Sequence, residues 1–568
     1  MPPRQPKQPK KVEALKHEAA KRKNIPTAEH QSVMAEADKS PIAIAYERRN
    51  RDLDPQLVWR GKDEQDWSDL VVSAPPLYIQ EKVHPKVIIE DLRRQSQERA
   101  KTTQDTQLDL FADFNGLPKD ATATEFYQHD ANWTNRMILG DSLQVMASLA
   151  ERENLRGKVQ CIYFDPPYGI KFNSNFQWST TSRDVKDGKL DQITREPEQV
   201  KAFRDTWRDG IHSYLTYLRD RLTVARDLLT DSGSIFVQIG DENVHRVRAL
   251  LDEIFGDSNF VRLIAYRTNS PLGAGMVPST CDFLLWYSKN IDSTKFRRLY
   301  VDQSVAEDTH INHCLFQDGF WRAMTKPEKL DTSLLPEGAI PFRFSTMSSS
   351  GFTLSCTFPF IFSNKEYKLA ARKSWRTNFE GMNRVSKTGR LIPTNTYLNF
   401  VQLFKDFPYI ELNNIWSDTH AEQGKNYVVQ TSTKVIQRCL LMTTDPGDIV
   451  LDPTCGSGTT AYVAEQWGRR WITIDTSRVA LALARARIMG ARYPYYLLAD
   501  SLAGQQKEAA INRTFPATTP TQGNIRLGFV YDRVPHITLK SIANNTEIDT
   551  IWETYQSKLE PLRAELNR

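Results

Sequence analysis

The sequence predicts an open α/β fold with a mostly parallel sheet, carried in two pieces separated by a stretch of different character. Three observations predict it. Short runs of apolar, β-branched and aromatic residues end abruptly in Gly, Pro or Asp turns, as buried strands do. Amphipathic segments of helical period follow those turns. This rhythm holds over residues 126–270, returns over 411–505 and lapses between them.

A chain of 568 residues is too long for a single core. Its 40% hydrophobic and 25% charged residues are ordinary for a soluble globular protein. A net charge of +5 is mild, so the overall field does not by itself mark a nucleic-acid binder. The cysteines Cys161, Cys281, Cys314, Cys356, Cys439 and Cys455 form no CxxC pair, which points to a reducing compartment and against a disulfide framework. With no apolar run of about 18 residues and no signal-peptide core, a cytoplasmic protein without membrane association is expected.

Taken in order, residues 1–45 are basic and proline-rich and bury too little to order themselves. They read as a disordered arm, either a solubilising tail or a strand of charge drawn to DNA phosphates. Over 46–125, Trp59, Trp67 and the run from Leu70 suggest an accessory layer on a catalytic domain, followed by a charged helical pattern over 87–99. At 137–139 a short strand ends in Gly140-Asp141-Ser142, a helix follows, and a second strand runs to Phe164. That order is a βαβ unit. Asp141, at a strand end and helix start, reads as an N-cap.

The second strand stops at Asp165-Pro166-Pro167-Tyr168. Two prolines fix two φ angles and remove two donors, leaving stiff carbonyls, a carboxyl and a phenol ring at the carboxyl end of a strand. Such a turn offers acceptors and a π face to a flat, amine-bearing ring. Residues 170–201 lack periodicity and are long for a connector, which favours a functional lid. Tyr214, Leu215, Leu218, Leu222 and Ala225 mark a helix, 234–239 a strand, 241–255 a helix and 261–266 a strand.

Residues 271–410 interleave basic and aromatic side chains, among them Tyr300, Trp321, Arg322, Lys368, Arg372, Trp375, Arg384 and Arg390. They suit phosphate and base contacts, or the solvated surface of a second core. His310 and His313-Cys314 have near-metal spacing but no second pair, and no metal site is expected. Beyond Ser501 a polar linker to about 525, a strand over 527–531 and a helix over 551–566 are expected.

Over 448–475 a strand, a glycine-rich turn, a helix and another strand succeed one another. The turn is Asp452-Pro453-Thr454-Cys455-Gly456-Ser457-Gly458-Thr459. Gly456 and Gly458 allow close backbone approach, and Asp475 stands where a nucleoside-binding fold grips ribose hydroxyls. The spacing is not GxGxxG and no Lys follows Gly458, so a dinucleotide or phosphate loop fits poorly.

The Asp165-Pro166-Pro167-Tyr168 turn resembles the catalytic tetrapeptide of the DNA amino-methyltransferases, and the glycine turn resembles their S-adenosylmethionine loop. Tetrapeptide first and glycine loop last is the order of the β class. The lead-in to Asp165 is most similar to the Mod subunits of type III restriction–modification systems, whereas residues 1–125 match nothing in them.

The resemblance implies a Rossmann-like methyltransferase fold with permuted motif order and an inserted target-recognition domain at 271–410. It places the catalytic half at 126–270, the cofactor half at 411–505 and a linker with C-terminal extension at 506–568. Asp165, Pro166, Pro167 and Tyr168 would be catalytic. Asp452, Pro453, Cys455, Gly456, Gly458, Thr459, Asp475 and Asp141 would line the cofactor site. Phe172 and Tyr266 would face the target base, with a core role for Tyr266 left open.

The implied activity is N6-methylation of adenine in double-stranded DNA, with N4 of cytosine as the alternative. The implied assembly is a homodimer with a separate restriction or translocase subunit. A recognition subunit that binds cofactor only to assemble, and an RNA or protein methyltransferase, are the rival classes. Tyr427-Val-Val-Gln-Thr-Ser-Thr-Lys434 departs from the Gln-Lys-Pro of many relatives.

Overall fold

The computed structural model describes residues 42–46, 56–62, 66, 68–77, 135–167, 210–268, 277, 279–394, 397–419, 430–512, 514–517, 519–534 and 536–566. Tyr168, Phe172, the 170–201 stretch, Trp67, the 87–99 pattern and residues 1–41 lie outside the described residues. The chain divides into two compact units. The first comprises 1–297, 414–510 and 515–530, and the second 298–413, 511–514 and 531–568.

In the first unit, β1 (Ile42–Tyr46) and β2 (Leu70–Ala74) form an antiparallel pair. The main sheet takes β3 (Arg136–Leu139), β4 (Val159–Phe164), β5 (Leu229–Ile239), β6 (Phe260–Arg267), β7 (Cys281–Ser288), β8 (Ile415–Trp416), β9 (Ile449–Asp452) and β10 (Arg470–Asp475). Their spatial order is β8-β6-β7-β5-β4-β9-β10-β3. Pairing is parallel throughout except that β7 runs antiparallel to both β5 and β6.

Every residue of β4 is buried, as expected for a central parallel strand covered on both faces. Side chains alternate between those faces. Ile162, Phe164, Ile235, Val237, Leu451, Ile472 and Ile474 join one core with helices α1 (Ser142–Glu151), α2 (Ile211–Leu228) and α3 (Val244–Phe255). Cys161 on the other face meets Thr443 and Cys439 of α4 (Thr433–Thr443). Helices α5 (Thr459–Gln466) and α6 (Arg478–Gly490) follow β9 and β10. Helix α7 (Leu502–Asn512) replaces the expected linker. Among its residues only Gly504 and Ala509 are buried, so it carries no amphipathic signature. The expected strand at 527–531 is a 3-10 turn, Ile525–Leu527, with a single bridge between Phe529 and Leu498.

The described residues between 57 and 74 belong to this unit through charge as well as apolar contact. The Lys62 ammonium meets Glu253 of α3 at 2.7 Å, with both side chains 1% exposed. Arg219 of α2 contacts Glu253 at 3.3 Å and Asp66 at 2.6 Å, while Trp59 donates to Thr216. Buried charges are tolerable only when paired in this way.

The second unit has a five-stranded antiparallel sheet whose neighbours run 321–323, 313–315, 340–346, 397–403 and 391–394. Helices Leu539–Ala543 and Glu547–Leu566 belong to this unit, and Leu539, Ile542 and Ala543 share a core with Met382 and Val385. Several basic residues that suggested DNA contact serve structure: Arg390 chelates the fully buried Asp406, Arg384 and Lys387 hold Asp549, and Arg322 grips Glu328. His313 packs among Trp321, Phe342 and Phe344. Among the described residues, no helix is long and apolar enough to cross a membrane.

Glu253→Ala removes the carboxylate shared by Lys62 and Arg219 and should lower the stability of the first unit by about 3–5 kcal/mol. Urea unfolding measures it, and a loss under about 1 kcal/mol would show that the buried network is energetically idle.

Candidate active site

Strands β4 and β9 lie side by side, with Cys161 opposite Val450 and Ile162 opposite Leu451. From β4 the chain moves outward to β5, and from β9 it moves the other way to β10. The crevice at their carboxyl ends is therefore a topological switch point, the usual ligand site of an open α/β sheet. Both singled-out turns open into it.

The two turns are bonded to each other. The Asp165 amide donates to Thr454 Oγ1 at 2.9 Å across 289 residues of sequence. Thr454 in turn donates its amide and its hydroxyl to Asp452 Oδ1, at 2.9 and 3.3 Å. Thr431 lies 3.3 Å from Asp165 Oδ2 and is hydrogen-bonded to Gln238 of β5, which accepts from the Tyr163 hydroxyl. Burial pushes the Asp165 carboxyl well above the usual carboxylate range, helped by the charges of Asp452 and Asp282 and opposed by the Thr431 bond. Pro166 is buried and Pro167 half-buried beside it.

The glycine loop is closed by Asp475 at the end of β10. Its Oδ2 accepts from the Gly456 amide and its Oδ1 from the Ser477 amide, both at 2.8 Å. Gly456 has φ 51° and Gly458 φ 72°, the left-handed region in which glycine is unstrained. A Cβ on Gly458 would sit 2.7 Å from that of Ala484, so this glycine serves the packing of α5 on α6. Cys455 is buried, and burial with the neighbouring Asp475 and Asp452 keeps its thiol protonated. Pro453 is buried, and Thr459 Oγ1 accepts from Arg487 at 2.8 Å. Burial raises Asp452 and Asp475 to about 6 each, against the amide and hydroxyl bonds that favour their ionised forms.

Asp141 adjoins this loop, since the Gly140 amide donates to Asp475 O at 3.0 Å. Both its oxygens are engaged: Oδ1 caps α1 at the Leu143 amide and Oδ2 pairs with Arg221 at 2.7 Å. Tyr266 is buried on β6, opposite Asp282 of β7 and Trp416 of β8.

Thr431, Gln238, Thr454 and Asp282 were missed by sequence reasoning. Thr454 lies inside the glycine turn. Thr431 stood in the segment singled out for its departure from Gln-Lys-Pro, which was the available signal.

The donor set decides what the cleft suits. Carboxylates with lone pairs beyond their amide bonds accept hydroxyls, and Asp165, Asp452 and Asp282 together favour positive charge. A polyphosphate would meet acidic walls and no loop lysine. A nucleoside bearing a cationic group fits. Among the described residues, no group of three His, Cys, Asp or Glu side chains could hold a metal ion.

Parallel sheet, switch-point crevice and acidic glycine loop define a Rossmann-like methyltransferase fold. The chain belongs to the N6_N4_Mtase family, described as DNA methylase, whose sequence model matches residues 159–486. It is similar to the StyLTI Mod subunit of a type III restriction–modification enzyme of Salmonella typhimurium, 23% identical over 62% of this chain and 53% of that protein. It is also similar to the type II methyltransferase M.EcaI of Enterobacter cloacae, 26% identical over 62% of this chain and 70% of that protein. The chain spans about half the length of the StyLTI Mod subunit and of a second type III Mod subunit, from Haemophilus influenzae. Among solved structures, the M1.HpyAVI–SAM complex aligns at 13% identity and a TM-score of 0.29, over 62% of this chain and 98% of that one.

The pH behaviour of the ligand-free site follows from Asp475. Its folded-state value of about 6 lies above the unfolded 3.8, so its proton-linked stability is complete below about pH 4 and is lost as pH rises through about 6. Asp475→Asn removes this loss. The variant's stability relative to wild type should rise by roughly 2 kcal/mol between about pH 4 and about pH 7.5, read by urea unfolding, and a pH-independent difference contradicts the assignment.

Proposed function

We propose that this chain transfers a methyl group from S-adenosylmethionine to N6 of adenine in double-stranded DNA, as the modification component of a restriction–modification system. The observation that carries the reading is the hydrogen bond between Asp165 and Thr454, which puts an acceptor-bearing proline turn and an acidic glycine loop in one cleft. The Mod and type II names of its relatives support DNA as the substrate class. They also support a separate restriction subunit as partner. A homodimer is part of the proposal, on the resemblance to Mod subunits alone.

The Asp165 carboxylate and the Pro166 carbonyl accept the two N–H bonds of the exocyclic amine. Those bonds localise a lone pair otherwise spread into the ring. Tyr168 stacks on the base, which has left the duplex. Asp475 accepts from ribose hydroxyls, and Asp452, Pro453, Cys455, Gly456, Gly458 and Thr459 shape the loop around the nucleoside. Asp141, tied to Arg221, braces the neighbouring turn. Phe172 and Tyr266 border the base. S-adenosylmethionine supplies an electrophilic methyl group and a positive charge beside the carboxylates. Positioning and electrostatics then provide most of the acceleration.

Purified protein, duplex DNA and S-adenosylmethionine labelled in its methyl group test this. Digestion to nucleosides should return label in N6-methyladenine. Label in N4-methylcytosine would shift the base, and label in RNA or protein alone would overturn the reading. Tyr168→Phe should keep substantial activity, whereas Tyr168→Ala should lose at least about tenfold through lost stacking.

A further inference from the structure

Four residues from three distant stretches form a directed hydrogen-bond chain that ends on Asp165. Tyr163 and Gln238 are buried on adjacent strands β4 and β5, and the tyrosine hydroxyl donates to Gln238 Oε1 at 2.5 Å. The amide nitrogen of Gln238 is only a donor, and it lies 3.1 Å from Thr431 Oγ1. The threonine oxygen therefore accepts there and keeps one proton to give. Among the described residues two acceptors are in reach, Gln238 Oε1 at 3.2 Å and Asp165 Oδ2 at 3.3 Å. The amide oxygen already takes the tyrosine proton, and a carboxylate is the stronger acceptor.

We propose that Thr431, oriented by Gln238 and through it by Tyr163, is a positioning residue for Asp165: its proton occupies Oδ2 and reserves Oδ1 for the substrate amine. The proposal rests on the methyltransferase reading above for the identity of that amine. The Asp165 amide is separately held by Thr454, so backbone and one carboxyl oxygen are both pinned. Thr431 thereby does for a side chain what the two prolines do for the backbone beside it.

Among the described residues, the charged and titratable groups facing Asp165 are Asp452 from β9, Asp282 from β7 and Tyr214 from α2. The two carboxylates push its proton affinity up, and the Thr431 bond is the opposing contact. Removing that bond must therefore raise the pH at which Asp165 ionises.

Thr431→Val keeps the shape and deletes the donor, and Thr431→Ser keeps the donor. In the whole 568-residue chain, kcat for DNA methylation should fall about tenfold or more in the valine variant, with S-adenosylmethionine affinity and DNA KM unchanged and the acidic limb of the pH profile moved upward. The serine variant should stay within about threefold of wild type. Infrared difference titration, with Asp165→Asn as the assignment control, should show the Asp165 midpoint rising by about one pH unit in the valine variant.

Unchanged kcat in that variant overturns the proposal, and so does a fall in rate with no shift of the midpoint, which is what a merely structural role would give. The titration needs no substrate. A wild-type chain that methylates nothing would sink the proposed function, while the midpoint would still decide whether Thr431 delivers its proton to Asp165.

Discussion

A hydrogen bond from a backbone amide to a threonine hydroxyl ties together the two turns that carry this protein's chemistry. The amide of Asp165 donates to the Thr454 hydroxyl across 289 residues of sequence. The proline turn ends β4 and the glycine loop follows β9. In sequence residues 298–413 of the second unit intervene, yet in the sheet the two strands are neighbours in parallel register. Parallel neighbours present their carboxyl ends on the same edge, so two turns that terminate them must meet. Motif order along the chain is thereby decoupled from motif order in space.

The same geometry explains the electrostatics. Bringing the ends of β4 and β9 together, with the start of antiparallel β7 on the same edge, gathers Asp165, Asp452 and Asp282 in surroundings that resist charge. Like charges so placed hold protons or attract a cation. Amide donors from Thr454, Gly456 and Ser477 offset part of the cost for Asp452 and Asp475. An acidic, amide-lined loop is a poor seat for phosphate and a good one for a hydroxyl-bearing cation. Chemistry and fold therefore argue for the same ligand class by separate routes.

Much of this was legible in the sequence, because the elements concerned are local. A buried strand stopped by two prolines, and a strand followed by glycines and a helix, announce themselves within ten residues. What escaped was non-local or disguised. Thr431 and Gln238 acquire meaning only when β5 and the segment before α4 converge on the proline turn. Lys62, Arg219 and Glu253 have the composition of a solvated surface and are instead buried against one another. Helix α7 buries almost nothing, so no periodicity betrayed it. Arg384 and Arg390 have the sequence character of a nucleic-acid surface, yet each is held by a carboxylate, Arg384 by Asp549 far downstream and Arg390 by Asp406.

The central claim is that one ligand is shared by two segments remote in sequence. Hydrogen–deuterium exchange of the whole chain, with and without S-adenosylmethionine, tests it most directly. Slower exchange in peptides covering both 161–165 and 454–458 is the predicted result. Protection of one peptide alone, or of neither, would contradict a common cleft.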